Sequence, residues 1–414
     1  MTPCRIFTII PAFGRTDAIV MADFLRQQCP QNISLHLLIV DNGNPQPLAE
    51  QFAAIAADDC RILRLEHNQG GAGAFRAGML LALETPCDFV WLLDDDAELT
   101  PETLTGLLTE YQRLEAEGIR VGAVGSVQLG QIHRDTITSA GGQLCPITGR
   151  YQPYCEGQTF SRATFATHEV HYLAATSLLT RPEVIRHVGP FEPMFIHCDD
   201  WEWCYRVGAA GYHLFITGQS VIHHPEWESK PADWIVYYDI RNYLWSLRRH
   251  APKALPIARL LRRLQQLFYL MHGRKKIAHL MQLGFKHADS GQLLMRDELP
   301  WRPSKHVALD AFLKSASFVT IILWHQSDVD QWQQRLRQYN LKGQVIACRS
   351  GRSFLFDLLR MAGLHLWAQF RHLVAKQAVL LLDHSCLKRY PFPFIATRRA
   401  FCRETTHGVE LTLD

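Results

Sequence analysis

Five consecutive apolar residues, Phe89 to Leu93 (FVWLL), run straight into three carboxylates, Asp94, Asp95 and Asp96, and this junction limits the folds open to the chain. A strand that is apolar at every position is buried on both faces, the habit of strands in parallel sheets covered by helices. The acids then fall at or just beyond the carboxyl end of an interior strand, where open α/β sheets keep their ligands. Two carboxylates one residue apart, Asp94 and Asp96, can share a hard cation such as Mg²⁺ or Mn²⁺ that retains open positions for phosphate oxygens. The plainer alternative is an acidic surface turn before a helix starting near Pro101, with Thr100 as its cap. Three adjacent like charges repel one another, however, and a solvated turn has no need of that cost.

The flanking sequence agrees with an interior strand. Apolar strand patterns at Arg5 to Ala12, Ser34 to Val40, Arg61 to Leu65 and Val121 to Val127 alternate with helical spacing at Thr16 to Gln28, Pro47 to Ala57, Gly73 to Thr85 and Pro101 to Glu117. Strand–helix alternation of this kind predicts a doubly wound, mostly parallel sheet with right-handed crossovers. Residues 130–162 are polar, Gly-rich and aromatic and read as an inserted hairpin or lid. His171 to Leu179 reads as a further buried strand, Arg181 to Val188 as a short helix, and His213 to Ile222 as the last strand before His223 and His224.

The strand ends supply the candidate chemistry. Asp41, before Asn-Gly, is either an acceptor for a ring N–H of a base or a turn former. Asn68 and the glycines after it suit close approach to a diphosphate. The run GGAGAFRAG is not a dinucleotide fingerprint: Arg76 stands where a third glycine belongs, and the run follows the third strand rather than the first. In FIHCDDWEW, Asp199 and Asp200 sit at a helix start. One of them is explained as a cap, while the other, among Trp201, Trp203 and His197, is suited to be a general base for a sugar hydroxyl. A histidine at a strand end, His223 with His224 as rival, can add a nitrogen ligand to the cation. Trp201, Trp203 and Trp227 offer flat faces for stacking or, equally, core packing.

Taken together and in this order, IVDNG, HNQGGAGAFRAG, LLDDDA, FIHCDDWEW and IHHPEW followed by YYDIRNYLW resemble glycosyltransferase family 2 over about Arg5 to His250. NQGGAGAF ahead of the triple Asp, and DDWEW ahead of a histidine with Pro and Trp, are most similar to bacterial galactofuranosyltransferases and related rhamnosyltransferases. The resemblance implies a GT-A catalytic domain, a nucleoside-diphosphate-sugar donor, a glycan or lipid-linked glycan acceptor, and Mn²⁺ or Mg²⁺. It implies Asp41, Asn68, Gly71, Arg76, Asp94 and Asp95 on the donor side, Asp94, Asp96 and His223 at the metal, Asp200 as base, and Asp199, Trp201, Trp203 and Trp227 toward the acceptor. UDP-galactofuranose is the first expected donor and dTDP-rhamnose the second. Large polymerising galactofuranosyltransferases carry an additional β-rich domain ahead of the first GT-A strand, which here starts at Arg5. An Asp-based phosphohydrolase would need its acid pair after the first strand and would leave Asp200 and His223 idle; a scaffold that only binds carbohydrate would tolerate loss of Asp200.

Three regions are expected: a catalytic domain over 1–233, a helical basic segment over 234–303, and a small α/β domain over 304–414. No Asp or Glu occurs from Ile240 to Ala288, whereas Arg259, Arg262, Arg263, Arg274, Lys275 and Lys276 interleave with leucines. Such a helix fits an anionic membrane surface or packs with its basic face outward. The SGRS turn at Ser350 to Ser353 is a weak phosphate-cradle pattern. A net charge of +3 over 414 residues argues against nucleic acid. With no CxxC pair, no leader-like segment at MTPCRIFTII and no apolar run of membrane-spanning length, a reduced cytoplasmic protein is expected, with a peripheral place on the inner membrane face left open.

Overall fold

The computed structural model describes residues 3–14, 16–51, 59–225, 234–271 and 274–300, together with 306–307, 318–323, 329–338, 343–347, 378–383, 398–405 and 408–413. The chain forms two compact units. One comprises 1–226, 232–260 and 281–299, the other 227–231, 261–280 and 300–414.

The first unit is built on β1 (Cys4–Ala12), α1 (Asp17–Gln28), β2 (Ile33–Asp41), α2 (Leu48–Gln51), β3 (Cys60–Arg64), α3 (Gly70–Glu84), β4 (Phe89–Leu93), β5 (Glu98–Leu99), α4 (Thr103–Ala116) and β6 (Val121–Gly130). These are followed by β7 (Ile137–Ser139), β8 (Gly142–Leu144), β9 (Tyr151–Pro153), β10 (His168–Val170), β11 (Ser177–Thr180), α5 (Pro182–Val188), α6 (Asp199–Ala209), β12 (His213–His224) and α7 (Ile235–His250). The main sheet runs β10-β12-β6-β11-β4-β1-β2-β3, with β5 on β12 and β7 on β6. β1 pairs in parallel with β2 and β4, β2 with β3, and β6 with β12; β11 lies antiparallel between β4 and β6. This is the mostly parallel α/β architecture that the alternation predicts.

Hydrophobic burial explains the layering. One face of the sheet packs Phe7, Ile9, Leu38 and Leu92 against α3 residues Phe75 and Met79 and α6 residues Trp203 and Val207. The other packs Ile6, Ile10, Trp91 and Leu93 with α1 residues Met21 and Leu25 and α4 residues Leu107 and Tyr111. All five residues of β4 are buried, as an interior strand requires. Expected His171 to Leu179 is not one strand. Residues 171–176 form an irregular crossing between β10 and β11, and the bonds of that crossing fall at the candidate site. The helix expected over Pro47 to Ala57 is seen as α2, its remainder lying outside the described residues.

Helices α8 (Leu255–Met271) and α9 (Lys275–Ser290) follow α7. The second unit has a six-stranded sheet of β13 (His306–Val307), β14 (Phe318–Leu323), β15 (Gly343–Ala347), β16 (Ala378–Asp383), β17 (Arg398–Thr405) and β18 (Gly408–Leu413), ordered β13-β18-β17-β16-β14-β15, with α10 (Val329–Gln338). The expected helix at Ser353 to Ala375 and the SGRS turn lie outside the described residues.

Candidate functional site

The carboxyl ends of β2, β4 and β12 and the amino end of antiparallel β11 share one edge of the sheet. Beyond β4 the Asp94 N–H donates to Thr176 O at 3.1 Å, and Ala97 N–H returns to Asp94 O at 3.3 Å, which folds the three acids into a tight turn. Two-residue β5 then pairs with the end of β12, Leu99 opposite Ile222 and Glu98 opposite His223. That pairing brings an imidazole to the acids. His224 Nε2 lies 3.0 Å from Asp96 Oδ1 and 3.7 Å from Asp94 Oδ2, and one donor atom from each of the three residues fits within 4.8 Å. Asp95, between them, is buried.

The imidazole is thus that of His224, which corrects the expectation of His223. Neighbouring side chains on a strand point to opposite faces, and His223 turns away, its Nε2 3.3 Å from Arg134 O. Two oxygen donors and one nitrogen suit a hard divalent cation. The side chains of Asp96 and His224 are about one-tenth exposed, so they are shaped by the protein rather than by solvent.

Asp41 is placed on the same edge but cannot receive a base in this arrangement. It is fully buried, and both oxygens are taken: Oδ1 accepts Asn44 N–H at 3.0 Å and Asn44 Nδ2 at 2.8 Å, and Oδ2 accepts Leu48 N–H at 3.0 Å and Arg64 Nη1 at 2.7 Å. Burial works against its charge, yet these hydrogen bonds outweigh burial and hold its pKa below the ordinary carboxylate value. The turn-forming alternative is the observed one. Asn42 Oδ1 then accepts Gln69 N–H at 2.9 Å, and Asn42 Nδ2 reaches Asn68 Oδ1 at 3.2 Å and Gly70 O at 3.0 Å. Asn68 Oδ1 also accepts Gly70 N–H at 2.8 Å, so Asn68 shapes the start of α3.

The glycine this site requires is Gly70, not Gly71. Gly70 has φ +72°, and a Cβ there would lie 1.9 Å from Phe195 O, whereas Gly71 faces open space. Arg76 Nη1 donates to Phe191 O at 2.7 Å, a packing role rather than the donor-side role expected of it.

Asp199 and Asp200 open α6, as expected. Asp200 Oδ1 accepts Trp201 N–H at 2.7 Å, and Oδ2 accepts the Tyr172 hydroxyl at 3.1 Å and Ala175 N–H at 3.4 Å. Burial pushes the Asp200 pKa up, against those three hydrogen bonds and the nearby His197. Burial, then the charge of Asp200, drives Asp199 well above its usual value, and Asp94 adds to that push. Ala175 and Thr176 therefore link the two clusters: one bonds Asp200, the next bonds the backbone of Asp94.

Of the two readings of Trp201 and Trp203, stacking face or core packing, the structure shows core packing. Trp203 is fully buried, its Nε1 donating to Gly189 O at 3.0 Å, and Trp201 is buried with Nε1 unpaired among the described residues. Trp227 lies outside the described residues. Sequence reasoning missed Tyr172, which read as one position of an apolar strand. The helix expected from 234 is present as α7, but the role of its Asp239 and Asn242, which hold the segment before α6, was missed. A signal was present in YYDIRNYLW, where an Asp and an Asn three residues apart share one helical face.

Comparison with known proteins finds a family match for part of this chain. Residues 8–180 match the family model described as Glycosyl transferase family 2. The chain is 25% identical over 202 residues to "Galactofuranosyltransferase GlfT2" of Mycobacterium tuberculosis, covering 45% of this chain and 32% of that one. It is 37% identical over 73 residues to "Galactofuranosyltransferase GlfT1" of Mycolicibacterium smegmatis, covering 18% of this chain and 24% of that one. The matched segments span about a third or less of these two relatives' length. A solved structure described as "GalNAc-T7 with UDP, GalNAc and Mn2+" overlaps 59% of this chain and 48% of its own at a TM-score of 0.45 and 11% identity, too remote to add to the sequence match. The matched residues lie in the mostly parallel α/β sheet of the first unit. Residues 8–180 thus match glycosyltransferase family 2, and the chain is similar to galactofuranosyltransferases.

Proposed function

We propose that this chain moves a sugar from a nucleoside-diphosphate donor onto a hydroxyl of a growing glycan by a single inverting displacement, with Asp200 as base. The observation that carries the reading is the convergence of Asp200 and the Asp94–Asp96–His224 group on one sheet edge through Ala175 and Thr176. Asp200 takes the proton of the acceptor hydroxyl as that oxygen bonds to the anomeric carbon. The bond from that carbon to the diphosphate oxygen breaks, its electron pair leaving with the nucleoside diphosphate. Tyr172 and the Ala175 and Trp201 N–H groups fix the Asp200 carboxylate, and its raised pKa makes it a stronger base than an exposed carboxylate. Asp94, Asp96 and His224 would hold Mn²⁺ or Mg²⁺, which supplies positive charge for the departing diphosphate. Asp95 lies buried between them, and the resemblance supports a place for it near the sugar or diphosphate.

Similarity to galactofuranosyltransferases supports UDP-galactofuranose as donor, with dTDP-rhamnose second. Among the described residues no helix is long and apolar enough to cross a membrane. Helix α8 nevertheless exposes Leu260, Leu264 and Leu267 beside Arg263, which supports docking on an anionic lipid surface, where a lipid-linked acceptor resides. The test is Asp200→Asn with labelled donor and acceptor: transfer should vanish while UDP and Mn²⁺ still stabilise the protein. Transfer at the wild-type rate sinks the reading. A panel of nucleoside diphosphates with Mn²⁺ decides between the donors, since stabilisation by dTDP without UDP removes the first choice.

A further inference from the structure

The segment that delivers Asp200 is held in a backbone conformation that its own residues disfavour. Phe195, His197 and Cys198 have φ of 71°, 67° and 64°, three non-glycine residues in the left-handed region within the four positions before α6. Side chains crowd the backbone there, so such conformers persist only where surroundings impose them, and they gather at functional sites.

The imposing group comes from α7. Asn242 is fully buried, and its Nδ2 lies 3.1 Å from Met194 O, 2.8 Å from Ile196 O and 2.8 Å from His197 O. The amide orientation follows from chemistry: Arg241 Nη1, which can only donate, points at Asn242 Oδ1 at 3.1 Å, so the NH₂ must face the loop. One turn earlier on α7, Asp239 Oδ1 sits 2.6 Å from His197 Nδ1, and Tyr238 stacks on Phe195 with centroids 4.9 Å apart and planes 18° from parallel. From the other side Phe195 O accepts Ala72 N–H at 3.1 Å, with Gly70 pressed beneath it. The loop is thus gripped between the start of α3 and one face of α7.

We propose that Asn242 is a positioning residue for glycosyl transfer: by binding the carbonyls of 194, 196 and 197 it imposes the left-handed turn that sets where α6 begins. The start of α6 in turn sets where Asp200 stands against Tyr172 and Ala175. The proposal rests on the reading of Asp200 as base. Donor binding belongs to other residues of the edge, so a slackened loop impairs the transfer step and spares donor affinity.

The test uses the full chain with Asn242→Ala, Asn242→Asp, and Asn242→Ala combined with Cys198→Gly, each checked for folding by circular dichroism. With Asn242→Ala, kcat should fall about 10–100-fold, the scale set by a base displaced about an ångström, while the donor KM stays within about threefold. Asn242→Asp should lose at least as much, because a carboxylate faces three carbonyls it cannot bond. Glycine at 198 adopts the left-handed conformation without steric cost, so the double variant should regain at least about threefold in kcat. A folded Asn242→Ala protein with wild-type kcat, a loss confined to donor KM, or no recovery with glycine overturns the proposal. Should Asn242→Ala not fold, Asp239→Asn slackens the same loop through His197: kcat should drop about threefold to tenfold with donor KM unchanged, and an unchanged kcat overturns the proposal. Asp200→Asn that retains transfer overturns both this inference and the base assignment, whereas an inactive Asp200→Asn beside a fully active Asn242→Ala overturns this inference alone.

Discussion

Asp41, fully buried, and Asp200, partly buried, are carboxylates on the same edge of the main sheet, and they are built for opposite ends. Asp41 accepts four hydrogen bonds, one of them from Arg64, and its pKa is held down. Asp200 accepts three, from uncharged donors, beside a second acid, and its pKa is held up. The first carboxylate is fully engaged in shaping the loop after β2. The second keeps proton affinity in reserve. A carboxylate at a strand end therefore says little until the donors around it are counted.

The contrast predicts two different failures for the same substitution. Asp200→Asn should lower kcat by about 10²–10⁴-fold, the usual worth of a general base, with a smaller loss of stability than at Asp41, because burial already disfavours the Asp200 charge. If Asp200 is the base it acts unprotonated, and because its pKa is raised, activity should fall on the acid side at a higher pH than the ordinary Asp value of about 3.9. A rate profile in pH checks this; an acid limb at or below the ordinary value breaks the contrast. Asp41→Asn should instead cost about 2–3 kcal/mol of stability, because an NH₂ group would face donors, while kcat of the folded fraction stays near wild type. Native Asp41 has a depressed pKa, so its contribution is present above the unfolded carboxylate value and is lost as pH falls through the native one. Chemical denaturation across pH 3 to 6, roughly the span around the reference carboxylate value, should show a larger acid-side loss in the wild type than in Asp41→Asn, where the other carboxylates with lowered pKa still contribute.

Much of this was legible in the chain. An interior strand followed by acids needed only the apolar run FVWLL, and the Asp94–Asp96 pair and the helix start at Asp199 follow from residue type and local spacing. What escaped depends on distant partners. The engagement of Asp41 requires Arg64, 23 residues away, and the need for glycine at 70 comes from a carbonyl at 195. Trp201 and Trp203 are read as ligand faces or core with equal ease, since an aromatic face carries no label until its neighbours are known. Tyr172 sits in an irregular crossing that apolar composition disguised as a strand.

The finest division is between the two adjacent histidines, and alternation alone did not resolve it. Residues 214–217 of β12 are all buried, so no wet face exists from which to count, and its register against β6 slips between Thr217 and Val221, which changes which residues face the edge. If the cation is held as the geometry of Asp94, Asp96 and His224 indicates, His224→Ala should weaken Mn²⁺ binding by at least tenfold. Loss of a mere outer-shell partner already costs about 10–100-fold, and a direct donor counts for no less. His223→Ala removes a half-exposed ring whose backbone pairing with β5 survives the change, and should shift stability by no more than about 0.5 kcal/mol while leaving Mn²⁺ affinity unaltered. Titration calorimetry on the two variants reads the difference directly: a larger affinity loss in His223→Ala would mean that β12 presents the opposite face when the cation binds, and would move the nitrogen donor back by one residue.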